Sequence, residues 1–283
     1  MRRMKIKRKS RVGTQKRRSI YLTAGVVITA VFAVLMFIGF IHTPYSPNAM
    51  NASEKFMAPS PSHIMGTDNF GRDIFSRVLK GISMTGLVAV STVAIGGGIG
   101  TVIGAVTGYY GGIVDGVIMR INDALNGFPS ILLALVIVSI AGPGKYNVIM
   151  ALGILFIPSF ARIVRSEYIS LKERDFVKSA RLMGAGNLRI IFRHIFPNVL
   201  PTLFVTITIG FNNAVLAEAG LSYLGIGIQP PDASLGSMLS DAQSFLFTAP
   251  WYAVMPGMTI VLFVLGFSLL AEGIREKMSD EEI

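Results

Sequence analysis

The chain has 283 residues, 52% of them hydrophobic and 15% charged, against about a quarter charged in soluble domains, so a water-soluble globular protein is excluded. It contains no cysteine and three histidines (His42, His63, His194), which excludes a disulfide framework, a thiolate metal centre and a cysteine nucleophile. The net charge of +10 is localised, because residues 1–19 hold ten Lys and Arg and no acid while the remainder carries sixteen of each sign.

A basic tail followed at once by an apolar run is a membrane-orientation pattern rather than a nucleic-acid arm, and no nucleic-acid partner is expected. From Ile20 to Ile41 no charge occurs, and at about 1.5 Å per residue this run crosses a hydrocarbon core about 30 Å thick. A cleaved signal peptide is the competing reading, but no small-residue cleavage site follows; the run ends in His42, Thr43, Pro44 and Tyr45. An extracytoplasmic loop is expected over residues 42–81. Its second half reads as an interfacial helix, with Thr67 or Asp68 as cap and Ile74, Phe75, Val78 and Leu79 as apolar face. Such a helix would either cover the outer mouth of the bundle or touch an external protein.

Five further segments have spanning length: Ser83 to Tyr109, Ile113 to Ala141, Tyr146 to Ile163, Asn198 to Tyr223, and Tyr252 to Ala271. Six crossings place both termini on one side. With that side cytosolic, twenty-one Lys and Arg lie inside and five outside, as the positive-inside rule requires. The expected fold is therefore all-α and polytopic: a basic tail over 1–19, a first span over 20–41, a membrane core over 82–272 with a cytosolic loop over 164–197, and a solvated tail over 273–283.

The second span carries Gly96, Gly100, Gly104 and Gly108. Four-residue spacing sets them on one helical face, where another backbone can approach closely. No G-x-x-x-x-G-K-[ST] sequence occurs, so the chain has no phosphate-cradling loop of its own. In the third span Asp115, Arg120, Asn122, Asp123 and Asn126 precede Phe128 and Pro129. The spacing allows Arg120 and Asp123 to meet on one face, as a salt-bridged interfacial entrance or as one polar wall of a path through the membrane, and Pro129 is expected to kink or restart the helix. Asn212, Asn213 and Glu218 interrupt the apolar fifth span. Polar groups at that depth are candidates for a translocation path, for structural hydrogen bonding or for contact with an external partner.

Between the fourth and fifth spans, the sequence reads as two short amphipathic helices. Asp175 is the expected cap of the first, with Phe176, Ala180 and Met183 at helical spacing and Gly184 and Gly186 as the stop. Asn187 is the expected cap of the second, where Leu188, Ile191, Phe192 and Ile195 form an apolar face beside Arg189 and Arg193, and Pro197 closes the run. Tethered at both ends, this element cannot enter a DNA groove; it presents a face to a cytosolic protein.

The stretch from Asp175 to Asn198 resembles the EAA loop of ABC importer membrane subunits, in the variant of the dipeptide/oligopeptide/nickel permeases. Other segments are similar to that family in the same order: Gly66-Thr-Asp-Asn-Phe-Gly-Arg-Asp73, Gly108-Tyr-Tyr-Gly-Gly112, Phe128-Pro129, Leu221-Ser-Tyr-Leu-Gly225 and Gln229-Pro-Pro231. The basic tail and first span match its second, C-type subunit. The resemblance implies a multi-pass permease of the bacterial cytoplasmic membrane, with both termini cytosolic, embedded in lipid and paired with a homologous second permease. Two ATPase subunits would dock below and an extracytoplasmic solute-binding protein above. It further implies that the chain binds no cofactor or metal, ATP and Mg being held by the ATPase subunits, and that it is no enzyme itself. The coupling surface implied comprises Asp175, Phe176, Lys178, Ser179, Ala180, Arg181, Gly184, Ala185, Arg189 and Arg193. Lys178 and Ser179 stand where the family pattern has an acid and an alanine. Peptides are the implied cargo, with nickel or a metal chelate as the alternative. A secondary carrier or channel would need no such cytosolic double helix.

Overall fold

The computed structural model describes the backbone of residues 2–281 and the side chains of residues 20–278. Ten α-helices follow one another among the described residues: α1 (Arg2–Ile41), α2 (Ile74–Tyr110), α3 (Gly112–Asn126), α4 (Ser130–Ala141), α5 (Lys145–Lys172), α6 (Asp175–Leu182), α7 (Asn187–Arg189), α8 (Phe196–Tyr223), α9 (Leu235–Ala242) and α10 (Pro250–Glu281). Five uninterrupted helical segments are long and apolar enough to cross a membrane, and α3 with α4 forms a sixth, bent by 87°.

The glycine stripe organises the centre. A Cβ placed on Gly96, Gly100, Gly104 or Gly108 would lie 2.6 Å from Phe156 Cβ, 2.6 Å from Phe160 Cβ, 2.5 Å from the Ala161 carbonyl oxygen and 2.6 Å from Tyr168 Cβ, respectively. Both residue series rise together, so α2 and α5 run parallel with their backbones in near contact, as hydrogen side chains alone permit. Parallel neighbours require the chain to return to the opposite face between Tyr110 and Lys145. The α3–α4 pair makes that return and therefore counts as one crossing despite its bend. The antiparallel α1–α10 pair closes on its own small residues: a Cβ on Gly273 would lie 2.6 Å from Leu22 Cα, and one on Gly266 2.6 Å from Ile28 Cγ2.

Several sequence expectations need correction. The interfacial helix expected before the second span is the first two turns of α2, since nothing in residues 74–82 breaks a helix. Its cap is Asp73, which accepts from the Ser76 amide at 2.8 Å, instead of Thr67 or Asp68. Ile74, Val78 and Leu79 are buried in the bundle. At the expected Pro129 break, Gly127, Phe128 and Pro129 separate two helices at nearly a right angle. The second cytosolic helix does not stop at Pro197. Residues Asn187–Tyr223 form one helical segment with a π-helical turn at Ile190–Ile195. A proline ring clashes with the carbonyl four residues back, and a wider turn just before it relieves that clash.

Candidate functional site

At the end of the bundle where α2 and α5 finish, the loop between α5 and α8 folds into a compact knob. Val177 and Ala180 of α6 are buried, as are Ile190, Ile191 and Ile195 of the π-helical turn. Polar ties fix the knob to the membrane helices. The Tyr109 hydroxyl at the end of α2 donates to Asn187 Oδ1 at 2.9 Å and the Tyr168 hydroxyl of α5 donates to the Ile191 carbonyl at 3.3 Å, while Lys172 Nζ at the end of α5 donates to the Gly108 carbonyl at 3.1 Å and holds α5 to α2 beneath the knob. Tied to α2 and α5 and continuous with α8, the knob passes any displacement to three spans.

The local details differ from the sequence expectation. Asp175 is the first helical residue and Arg174 the cap; a carboxylate in that first turn still complements the helix dipole. Asn187 is engaged by Tyr109, and Gly186 takes the cap position of α7. Gly184, with φ of +82°, makes the reversal between the helices. The apolar pattern is split differently from the one expected: Phe176, Leu182, Met183, Leu188 and Phe192 point outward, Leu182 at 89% exposure. Around them Asp175, Lys178, Ser179, Arg181, Arg189 and Arg193 are exposed, Ala185 is half-buried, and Ala180 alone of the implied coupling residues is buried. Lys178, Arg189 and Arg193 form no ion pair among the described residues. The face is therefore apolar at its centre and cationic at its rim.

Between α4, α5 and α8 lies a cleft of about 420 Å³, with Asn126, Ser130, Ser159, Thr206 and Asn213 among apolar walls. Of the six polar residues suggested by sequence, Asn126 and Asn213 face it. The other four do not. Asn212 turns away and donates to Ser268 Oγ of α10 at 2.9 Å. Glu218 is fully enclosed, accepting from the Ser222 hydroxyl at 2.6 Å, with the hydroxyls of Thr85 and Ser234 beside it. The expected Arg120–Asp123 pair does not form. Asp123 instead takes Arg162 of α5 at 2.8 Å, and Asp115 takes Arg165 of α5 through two hydrogen bonds. The bend after α3 lays that helix against α5, so partners across the helix–helix contact win over partners along one helix. Arg120 has no ion-pair partner among the described residues. The hydroxyl-bearing residues Ser130, Ser159 and Thr206 escaped the sequence reading because such side chains are carried in membrane helices by bonding their own backbone, as Thr206 does to the Thr202 carbonyl at 2.8 Å.

At the opposite end, the 42–73 loop is held by buried polar contacts. His63 Nδ1 lies 2.9 Å from Asp73 Oδ1, and Asp68 accepts from the Phe70 and Arg72 amides and from Arg72 Nε at 2.6 Å. Trp251 Nε1 of α10 donates to the Thr67 carbonyl at 3.4 Å, and Lys145 pairs with Asp232 at 2.8 Å. Partial burial keeps the Asp241 carboxyl of α9 above the ordinary carboxylate range, against the pull of Arg77 and Arg72. Their pairing was not legible in sequence, because partners stand up to 184 positions apart.

A family profile described as "Binding-protein-dependent transport system inner membrane component" matches residues 100–280, more than half of the chain. The chain belongs to this family. Its knob, glycine-packed core and cleft are therefore those of an ABC importer permease subunit. Full-length relatives agree. The dipeptide transport system permease protein DppC of Alkalihalophilus pseudofirmus is 41% identical over 266 residues, covering 93% of this chain and 86% of the relative. The glutathione transport system permease protein GsiD of Pectobacterium atrosepticum is 38% identical over 262 residues, covering 93% and 87%. In fold, the permease resembles a chain of an amino acid ABC transporter crystallised with histidines (TM-score 0.55, 18% identity, 73% of this chain and 94% of that one). It also resembles one of the inward-facing methionine transporter MetNI (TM-score 0.52, 20% identity, 70% and 94%).

Proposed function

We propose that this permease subunit passes short peptides inward across the cytoplasmic membrane and is driven by ATPase subunits that grip its knob. The observation that carries the reading is the knob itself: an outward-facing apolar centre with a cationic rim, tied by Tyr109 and Tyr168 to the ends of α2 and α5. Such a face is suited to seating in a groove of another protein, and rigid ties convert motion of that protein into rotation of the spans. The 420 Å³ cleft lined by Asn126 and Asn213 is the candidate path, completed by a homologous second permease. ATP and Mg are held by the ATPase subunits, while this chain holds neither. Both termini and the knob lie on the cytosolic side, a reading supported by the twenty-one to five division of Lys and Arg. The outer loops then face a solute-binding protein.

The peptide assignment draws on the relatives, one named for dipeptides and one for glutathione, itself a peptide. Uptake of labelled dipeptide, glutathione and nickel by cells with and without the gene tests it. Loss of dipeptide or glutathione uptake with nickel uptake intact is the expected result. Unchanged peptide uptake, or loss of nickel uptake alone, would overturn the assignment.

A further inference from the structure

On the outer face, between the 42–73 loop, the 225–232 segment and α9, the structure holds a second cavity, of about 480 Å³. Its size falls in the range of small-ligand sites. Its character is the reverse of the membrane cleft's, because two guanidiniums lie in its wall. Arg72 Nε is committed to Asp68, but its Nη2 is 3.9 Å from Asp241 Oδ2. Arg77 is 4% exposed; its Nη1 donates to the Pro47 carbonyl at 3.2 Å, its Nη2 is 3.8 Å from the same Asp241 oxygen, and its Nε faces the buried Asp68 carboxylate at 3.6 Å, too far for a hydrogen bond.

Two Nη2 groups thus converge on one point, and the oxygen nearest that point is too far from either to accept a hydrogen bond. A buried guanidinium with unused donors is costly unless an acceptor arrives. Asp241 on α9 stands outside hydrogen-bond range of both guanidiniums, with its side chain 48% exposed. A planar carboxylate entering the cavity could accept from both guanidiniums, the geometry for which arginine is suited. Asn48, Gln229 and Ser240 also line the cavity and offer hydrogen bonds to a peptide backbone. Asp241, relieved of its long contacts, would face a cation.

We infer that this outer cavity is a receiving subsite for the free carboxylate of an incoming peptide, with Arg72 and Arg77 as the carboxylate-binding residues and Asp241 as the counter-charge for its ammonium group. The inference rests on the peptide-import reading. It also adds to that reading a means by which the permease, and not only the delivering protein, distinguishes a free carboxyl terminus from a blocked one.

The chain has no cysteine, so Met50→Cys, at an exposed position in the cavity wall, supplies a unique thiol on this subunit. In the purified complete transporter without binding protein, the thiol-labelling rate is measured against Ala-Ala and against its C-terminal amide. The acid should protect at a concentration about tenfold or more below the amide, the scale of a charge-assisted bidentate contact. Arg77→Gln should bring the two peptides to parity. Because Arg77 also ties Pro47, a second variant, Ser240→Asp, places a competing carboxylate in the wall without removing a side-chain hydrogen bond; it too should abolish the discrimination. Equal protection by acid and amide in the unaltered cavity, or discrimination that survives both variants, would overturn the subsite. Protection by the binding protein alone, without peptide, would make the cavity a protein-docking site and overturn it equally. These outcomes are separable from failure of the peptide assignment, which shows instead as peptide uptake indifferent to loss of the gene.

Discussion

Gly104→Leu should prevent the folded subunit from accumulating in the membrane, the largest effect expected of any single substitution in the α2–α5 contact. A Cβ at this position would lie 2.5 Å from the Ala161 carbonyl oxygen, 2.8 Å from Val164 Cβ and 2.9 Å from the Arg165 amide nitrogen. Two of these three are backbone atoms, which cannot rotate away as a side chain can. The helices would have to separate, breaking the bond from Lys172 Nζ to the Gly108 carbonyl that closes the end of the interface. Overpacking of this kind costs about 3 kcal/mol, a large share of a typical domain's stability. Gly98→Leu is the matched control. It lies on the same helix, but a Cβ there meets nothing within 4 Å, so stability of the isolated subunit should change by about 1 kcal/mol at most. Quantifying membrane-inserted chain and its unfolding in detergent for both variants checks the pair. Equal behaviour would show that the stripe is not the packing surface.

Gly184→Val should leave insertion intact and reduce ATP-driven uptake. Gly184 has φ of +82°, and nothing lies within 4 Å of a Cβ built on it, so the penalty arises from backbone conformation and not from collision. For a β-branched residue in that region it is about 1–2 kcal/mol, enough to move a local equilibrium about five- to thirtyfold. The consequence falls on the relation between α6 and α7, hence on whether Leu182 and Leu188 share one face. Uptake should drop by a comparable factor while ATP hydrolysis by the complex continues or the ATPase subunits dissociate. Uptake at the level of the unaltered protein, measured in proteoliposomes, would contradict the rigid-knob account.

How much of this was legible in sequence depends on the range of the interactions. Charge-free runs and four-residue glycine spacing are local patterns, and they marked the spans and the face on which Gly96 to Gly108 lie. Six alternating crossings already make the second and fourth spans parallel, but that they are packed neighbours is not a local pattern; it shows in the rise of Gly96, Gly100 and Gly108 against Phe156, Phe160 and Tyr168. Arg120 and Asp123 illustrate the same limit, because their spacing along one helix favours a pair that the bend at Gly127–Pro129 replaces with Asp123–Arg162. For Asn126, Asn212 and Asn213, residue type alone marked a polar group in a membrane helix, whereas direction depends on helix rotation. Adjacent Asn212 and Asn213 point to α10 and to the cleft, respectively. In the knob, the helical spacing that grouped Phe176, Ala180 and Met183 did not say which apolar residues turn inward: Val177 and Ala180 are buried, while Phe176 and Met183 face outward, as a surface presented to another protein requires.

That surface offers the most direct test of the whole account. Met183, 81% exposed at the tip of the knob, can be replaced by cysteine to give this otherwise thiol-free subunit one reactive position, and cross-linking followed in membranes that contain the complete transporter. The account predicts an adduct between this subunit and an ATPase subunit, with a yield that changes on adding ATP, and protection from a thiol reagent confined to the outside of the cell. An adduct absent under all nucleotide conditions, or ready labelling from the outer side, would contradict it.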